Sequence, residues 1–221
     1  MSPEIARLLA DATWQTLYMV TVAGLAGTLL GLPLGVFLAT SGKGELFQAV
    51  AVNRVLGLVV NAARSTPFII LVVAIIPFTR LVAGTSIGTT AAIVPLTVAA
   101  TPFIARIVEA AIREVDQGLI EASRAMGATA FQIVRKVLLP EALPAIVLGL
   151  TLTAVSLIGY SAMVGAVGGG GLGDLGIRFG YQRFMPEVMA AVVIVLIVLV
   201  QSVQSIGEWI ARRVNRRLRT A

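Results

Sequence analysis

Long runs of apolar residues alternate with short charged segments along the whole chain. No charged residue occurs within residues 12–42, 81–105 or 142–173. Because a helix needs about 20 consecutive apolar residues to cross the hydrocarbon core of a bilayer, these runs predict transmembrane helices. We predict an all-α integral membrane protein with five spans, placed roughly at Trp14–Thr40, Val55–Phe78, Ile87–Ile107, Pro144–Val164 and Val188–Gly207.

The second predicted span is interrupted by the segment Arg64-Ser65-Thr66-Pro67. Proline is best accommodated in the first turn of a helix. The deep part of this span is therefore expected to begin near Pro67, with Val55–Ala63 at the membrane surface or against protein. Pro77 is expected to end or kink it. Arg64 is either an interfacial residue that snorkels to the headgroups or a functional charge that faces the protein interior.

Glycine residues recur in two places. Gly24, Gly27, Gly31 and Gly35 follow at steps of three and four, which favours close packing of the first span unless these glycines are merely tolerated. Gly171–Gly176 has the spacing of a dinucleotide-binding fingerprint, but that motif functions only between a strand and a helix of a βαβ unit. The sequence therefore predicts a tight glycine turn there and no nucleotide site.

The longest polar interval between apolar runs is Glu121–Pro140. Its residues predict a short helix, a turn at Gly127 and a second helix that ends at Pro140. Such a helix–turn–helix would present a rigid knob to a partner protein. Glu121 can accept hydrogen bonds there, and the small side chain of Ala122 allows close approach.

Composition excludes several functional classes. Of the 221 residues, 57% are hydrophobic and 13% are charged, and the chain has no cysteine and no histidine. Soluble domains carry about 25% charged residues, so the low charge supports the membrane assignment. Disulfides, thiol nucleophiles and histidine-based triads are excluded. The chain also lacks a Walker A pattern, so we expect no enzyme activity and no cofactor of its own.

Basic residues predict the orientation in the membrane. Arginines cluster in residues 208–221, which we expect to be a basic cytoplasmic tail that contacts lipid and not nucleic acid. The N-terminus is then outside, and the Glu121–Pro140 segment is cytoplasmic. Few basic residues lie outside in this arrangement, namely Arg7, Arg80, Arg178 and Arg183.

The Glu121–Pro140 segment resembles the EAA coupling loop of ABC-importer permeases. That motif runs Glu-Ala-Ala, three residues, Gly, nine residues, Ile, any residue, Leu-Pro. This chain has Ser for the second Ala and Val for Ile; the matching residues are Glu121, Ala122, Ser123, Gly127, Val137, Leu139 and Pro140. Further strings resemble methionine-importer permeases, and the resemblance runs from about Thr13 to Gly207. They are RSTPFIIL (64–71), IPFTR (76–80), AIVPLT (92–97), PFIAR (102–106) and GYSAM (159–163).

This resemblance implies a type I ABC-importer permease domain over residues 13–207, in the inner membrane of a bacterium. Two copies would form a pathway on a two-fold axis. Two cytoplasmic ATPase subunits, which bind ATP and Mg, would engage the EAA-like residues. A periplasmic or lipid-anchored binding protein would deliver methionine, in the D- or the L-form. The alternatives are a permease for another amino acid or small solute, and a channel or scaffold without an ATPase.

The fourth span carries the candidate pathway residues. Ser156 and Tyr160 lie four residues apart and share one helical face, and Met163 continues that face by another turn. A methionine from each copy would make an adaptable plug on the axis. Arg64 is the fourth candidate. The alternative is that these side chains only hold membrane helices together through packing and hydrogen bonds.

Overall fold

Helices and short turns make up the part of the chain that the computed structural model describes, residues 3–215. Two helical turns widen into π-helix, and both directly continue a short α-helix. In chain order the elements are α1 (Pro3–Thr40), α2 (Val50–Ser65), α3 (Phe68–Ala74), α4 (Ile76–Ala83), α5 (Thr89–Arg113), α6 (Gln117–Ala125), α7 (Ala130–Ile133), a π-turn (Val134–Leu138), α8 (Leu139–Gly165), α9 (Gly171–Leu175), a second π-turn (Gly176–Tyr181) and α10 (Pro186–Val214).

Four of the described helical segments are long and apolar enough to cross a membrane. They are α1, α5, the continuous segment Ala130–Gly165 and α10. The pair α2 and α3 passes the same test when taken together, and its two helices meet at an angle of 104°. The predicted all-α membrane fold is confirmed, with the second of its five spans broken.

Helices α1 and α5 pack against each other through a row of glycines. A Cβ atom at Gly31 would lie 2.7 Å from the carbonyl oxygen of Thr101 on α5. Gly27 and Gly35 are equally close to α5, whereas a Cβ at Gly24 would make only an ordinary contact of 3.7 Å. The predicted close packing is therefore confirmed for three of the four glycines, since larger residues there would push the helices apart.

The break in the second span lies where the sequence predicts it. Pro67 precedes the first residue of α3, and Thr66 has extended backbone angles. The chain kinks again at Ile75, and Pro77 lies in the first turn of α4, so this proline starts a helix. Only Val60 of α2 is buried within the described chain. The second span is thus a set of short helices whose apolar side chains are largely exposed.

Several predicted boundaries are wrong. The helix that follows the glycine turn at residue 127 does not end at Pro140, because the π-turn leads directly into α8. The amide of Leu139 donates to the carbonyl of Val134, five residues earlier, and this wider turn brings Pro140 into the first turn of α8, where its missing N–H costs little. Helix α1 begins at Pro3, and α10 continues to Val214.

Two further regions complete the comparison with the sequence. The glycine-rich segment after the fourth span is not a long loop, because α9 and the second π-turn follow it at once. Of the predicted basic tail, residues 208–214 are helical, and residues 216–221 lie outside the described residues.

Candidate functional site

The polar segment between α5 and α8 folds into a compact knob, defined here as residues 116–138. Its first helix, α6, is capped by Asp116, whose carboxylate accepts a hydrogen bond of 2.7 Å from the amide of Gly118. The predicted turn at Gly127 is present, with φ +79°. The amide of Gly127 donates to the carbonyl of Arg124, and the amide of Ala128 donates to that of Ser123. This is a Schellman motif, which needs a left-handed residue at this position.

The second half of the knob is joined rigidly to the membrane. Thr129 and Gln132 form a capping box at the start of α7, in which each side chain accepts from the backbone amide of the other residue. The chain then remains helical through the π-turn into α8. At the other side, only Glu114–Asp116 separate α5 from α6. A displacement of the knob would therefore be transmitted directly to α5 and α8.

The side chains of the knob divide into an anchoring face and an exposed face. Ile120, Ile133 and Leu138 are buried in the main apolar core. Met126 and Phe131 instead have 81% and 65% of their surface exposed. These two large apolar side chains lie among polar residues on the exposed face of the knob.

The residues of the EAA-like motif lie on both faces. Glu121 and Ala122 are exposed on α6, while Ser123 is buried and donates to the carbonyl of Leu119 at 2.7 Å. Gly127 is exposed in the turn. The remaining three are Val137 and Leu139, half-buried against the core, and Pro140, which is exposed. The motif thus contains both exposed and anchoring residues, and the exposed pair Met126 and Phe131 is not part of it.

A cavity of about 430 Å³ lies under the knob. Its walls come from the ends of α5 and α10, from α6, and from the start of α8. Glu114, Lys136 and Glu141 place charges of both signs in this wall. The cavity therefore lies between the knob and the ends of the membrane helices to which the knob is joined.

A buried ionic cluster lies where α5 approaches the knob. The Glu109 side chain has one carboxylate oxygen 2.5 Å from a guanidinium nitrogen of Arg106 and the other 3.0 Å from one of Arg113. Arg106 also donates to the carbonyl of Gly57 on α2 at 2.9 Å. Because Glu109 is only 8% exposed, its charge depends on these partners, and the cluster ties α2 to the last turns of α5.

A second, smaller cavity of about 120 Å³ lies deeper in the membrane region, between the α2–α3 bend, α5 and α8. It brings together three of the candidate pathway residues, Arg64, Ser156 and Tyr160. Met163 does not line it and is 47% exposed. The Arg64 guanidinium carbon lies 5.6 Å from the centre of the Phe103 ring. We call this space the Arg64 cavity.

The glycine turn after α8 is held by α1. Gly168, Gly170 and Gly171 all have positive φ angles. The amide of Gly171 donates to the side-chain oxygen of Gln15, and the amide of Leu172 donates to the hydroxyl of Thr16, both at 2.9 Å. These amides are already used by protein groups, which agrees with a structural role for the fingerprint-like glycines.

Comparisons with known proteins agree with this architecture. Residues 31–220 match the family model described as "Binding-protein-dependent transport system inner membrane component". A probable D-methionine transport system permease protein MetI of Vibrio cholerae is 59% identical over 210 residues, which cover 95% of this chain and 93% of that protein. The D-methionine transport system permease protein MetI of Escherichia coli is 56% identical over 165 residues, covering 75% of this chain and 76% of that protein.

Solved structures give the same result. A chain of the MetNI methionine ABC transporter in an inward-facing conformation superposes with a TM-score of 0.95 at 53% identity, covering 98% of this chain and 100% of that chain. A chain of an amino acid ABC transporter, solved with histidines, has a TM-score of 0.79 at 23% identity and shares the fold.

Proposed function

The chain belongs to the family of binding-protein-dependent transport system inner membrane components, and on this premise we propose that it is the permease subunit of an ATP-driven methionine importer. The observation that supports methionine as the substrate is the 45–59% identity between this chain and methionine permeases, over nearly the whole chain. The protein is a multi-pass inner membrane subunit and not an enzyme. ATP and Mg are bound by a separate ATPase subunit.

The knob is the surface on which that ATPase docks. Its exposed residues include a carboxylate, Glu121, and two large apolar side chains, Met126 and Phe131. Closure of two ATPase subunits on ATP would bring two knobs together. Since the knob continues into α8, and since three residues separate its helix α6 from α5, the same movement reaches the membrane spans that line the Arg64 cavity.

Two copies of the chain share the transport pathway. Helices α2, α3 and α4 expose a continuous series of apolar side chains, including Val55, Ile70 and Leu81. A second copy related by a two-fold axis would cover part of this surface. A periplasmic or lipid-anchored binding protein delivers methionine at the outer side, where the N-terminus also lies. The knob is then on the cytoplasmic side.

Uptake by the reconstituted complex tests this function. The permease is placed in liposomes with its ATPase and its binding protein, and labelled methionine is supplied on the side of the binding protein. We expect ATP-dependent accumulation that unlabelled methionine abolishes and that histidine, leucine and glutamine at the same concentration do not. If the complex accumulated another amino acid and not methionine, the assignment of methionine as the substrate would be wrong, whereas the family assignment would stand.

A further inference from the structure

We propose that the cavity under the knob is the docking site for the basic segment 216–221 of the same chain. The arginines of this segment would pair there with the carboxylates of Glu114 and Glu141. The structure describes the chain as far as Asn215, so the segment begins at the next residue. The inference goes beyond the proposed function, because it concerns a contact between α10 and the knob within one chain.

The chain leaves α10 at the wall of this cavity. Val214 and Asn215, the last two described residues, both line it. The amide of Asn215 donates to the carbonyl of Ala211 at 2.9 Å, and Asn215 itself has extended backbone angles, with φ −69° and ψ +99°. The helix ends there, and the next residue starts beside the cavity. Six extended residues reach about 20 Å at most, which is enough to cross a cavity of about 430 Å³.

The cavity and the segment carry opposite charges. The ionisable side chains in the cavity wall are Glu114, Glu141 and Lys136. Glu114 forms no ion pair with any residue of the described range 3–215. The ionisable side chains of the segment are all guanidinium groups, namely those of Arg216, Arg217 and Arg219. A guanidinium group matches the two oxygens of a carboxylate, so the segment supplies the cations that this wall lacks.

The helix ends around the cavity also favour a cation. Helices α5 and α10 both end at its wall, and a helix C-terminus carries a partial negative charge. The start of α8 does not offset this charge, because the π-turn continues the helix and leaves no free N-terminus there. The N-terminus of α6 is already capped by the carboxylate of Asp116.

The arginines of α10 itself have partners on that helix. Arg212 lies 3.7 Å from a carboxylate oxygen of Glu208, and the guanidinium carbon of Arg213 lies 4.1 Å from the centre of the Trp209 ring. Neither arginine lines the cavity. The arginines that can reach it are therefore those that follow the end of the helix.

The wall is apolar between its charges. Val115, Leu119 and Val137 lie in it, and Leu218 is the apolar side chain that the segment carries between its arginines. The methylene stems of arginine also pack on apolar surfaces while their charged ends reach polar groups. The cavity therefore suits the whole segment and not only its charges.

A docked segment would join the end of α10 to both connections of the knob. Glu114 belongs to the three residues between α5 and α6, and Glu141 lies in the first turn of α8. Ion pairs with both carboxylates would hold the knob against the ends of the membrane helices, and a displacement of the knob would stretch them. This consequence for coupling rests on the proposed function, so the experiment measures the contact itself.

Disulfide cross-linking in the permease–ATPase complex tests the contact, because the permease has no cysteine of its own. Ala145→Cys in the cavity wall is combined with Thr220→Cys, so that every charged residue is retained. Leu143→Cys with Thr220→Cys is the matched control, since Leu143 is exposed on α8 but does not line the cavity. We expect the first pair to form an intramolecular disulfide, identified in peptide digests, at least several-fold faster than the second.

Charge reversal separates the proposed ion pairs from simple proximity. Glu114→Lys together with Glu141→Lys should slow the cross-link several-fold. Glu45→Lys, which reverses an acidic residue outside the cavity, should not slow it. Replacing the three arginines of the segment with glutamate in the doubly reversed variant should restore the cross-link, which a misfolded variant could not do.

The bilayer surface is the competing partner for the same arginines. The cross-link should persist when nanodiscs of phosphatidylcholine are replaced by nanodiscs of anionic phosphatidylglycerol. Its loss there would show that lipid headgroups bind the segment and would overturn the inference. Equal rates for the two cysteine pairs, or no response to charge reversal, would overturn it as well. Uptake is measured separately: a complex that cross-links as expected but imports no methionine would refute the proposed function and not this contact.

Discussion

The turn at Gly127 offers a test of whether the shape of the knob matters, separately from its surface. Replacing Gly127 with valine adds a β-branched side chain at φ +79°. A Cβ atom built there has no neighbouring atom within 4 Å, so steric collision with the rest of the protein contributes nothing. The entire cost is local backbone strain.

The size of that strain can be estimated from the turn. The left-handed conformation costs a residue with a Cβ about 1–2 kcal/mol, and more for a β-branched one. Escape from it requires breaking the hydrogen bonds from Gly127 to Arg124 and from Ala128 to Ser123, each with a net value of about 0.5–1.5 kcal/mol. The two costs are similar, so Gly127→Val should populate a knob with an opened turn while the membrane spans remain folded.

The assay compares this variant with Gly84→Val. Gly84 ends α4 with φ +74°, and a Cβ there also has no neighbour within 4 Å. It therefore carries the same strain at the opposite end of α5 from the knob. We expect Gly127→Val to lower methionine uptake and ATPase stimulation by the liganded binding protein several-fold, and Gly84→Val to retain both.

Equal activity of the two valine variants would refute the reasoning. So would equal loss of activity in both, because the effect would then come from backbone strain in general and not from the knob. The amount of each permease recovered as a folded complex from detergent is the control for assembly.

Four other predictions follow from the packing, the ionic cluster, the pathway and the orientation. Gly31→Leu should overpack the α1–α5 contact and lower the free energy of unfolding of the purified permease by about 1–3 kcal/mol, which is seen as a lower melting temperature. Gly24→Leu should leave the melting temperature nearly unchanged, and equal effects of the two substitutions would contradict the close α1–α5 contact. Glu109→Gln should cost about 1.5–3 kcal/mol, because it leaves the guanidinium groups without a buried counter-charge, and an unchanged melting temperature would contradict that. Met163→Cys, in a chain without other cysteines, should cross-link between two copies if this residue lies on the two-fold axis. If the cysteine neither cross-links nor reacts with thiol reagents, the gate of the pathway lies elsewhere. Of two reporter enzymes inserted near Asp174, the one that is active only in the periplasm should give activity, and the one that is active only in the cytoplasm should not. The opposite result would show that the predicted orientation is wrong.

Apolar runs and proline positions predict much of this fold because both reflect local physical requirements. The uncharged stretches locate the spans, and Pro67 locates the break between α2 and α3. The knob is predicted equally well, since a glycine in a polar helical segment indicates a left-handed turn. What the local signals do not give is continuity across Pro140. Val134 and Leu138 of the π-turn are buried in the core, and a sequence pattern alone does not reveal such tertiary contacts.

The candidate sites show the same division. The helical spacing of Ser156 and Tyr160 predicts a shared face, and both line one cavity. Their meeting with Arg64 depends on the 104° bend, which is a tertiary feature. Met163 has the correct spacing but lies beyond the cavity, since helical periodicity gives direction and not depth. The ion pairs of Glu109 with Arg106 and Arg113 are local, at three and four residues along α5, whereas the hydrogen bond from Arg106 to the Gly57 carbonyl of α2 is non-local.

ATP-dependent uptake by a complex with a charge-reversed knob tests the central claim most directly. Proteoliposomes that contain the permease, its ATPase and its binding protein are loaded with ATP or with a non-hydrolysable analogue, and accumulation of labelled methionine is measured. The account predicts uptake against a gradient with ATP, none with the analogue, and loss of uptake by Glu121→Lys in a permease that still inserts in the membrane. Equal methionine accumulation with ATP and with the analogue would contradict this account. So would normal uptake by both single variants, Glu121→Lys and Gly127→Val.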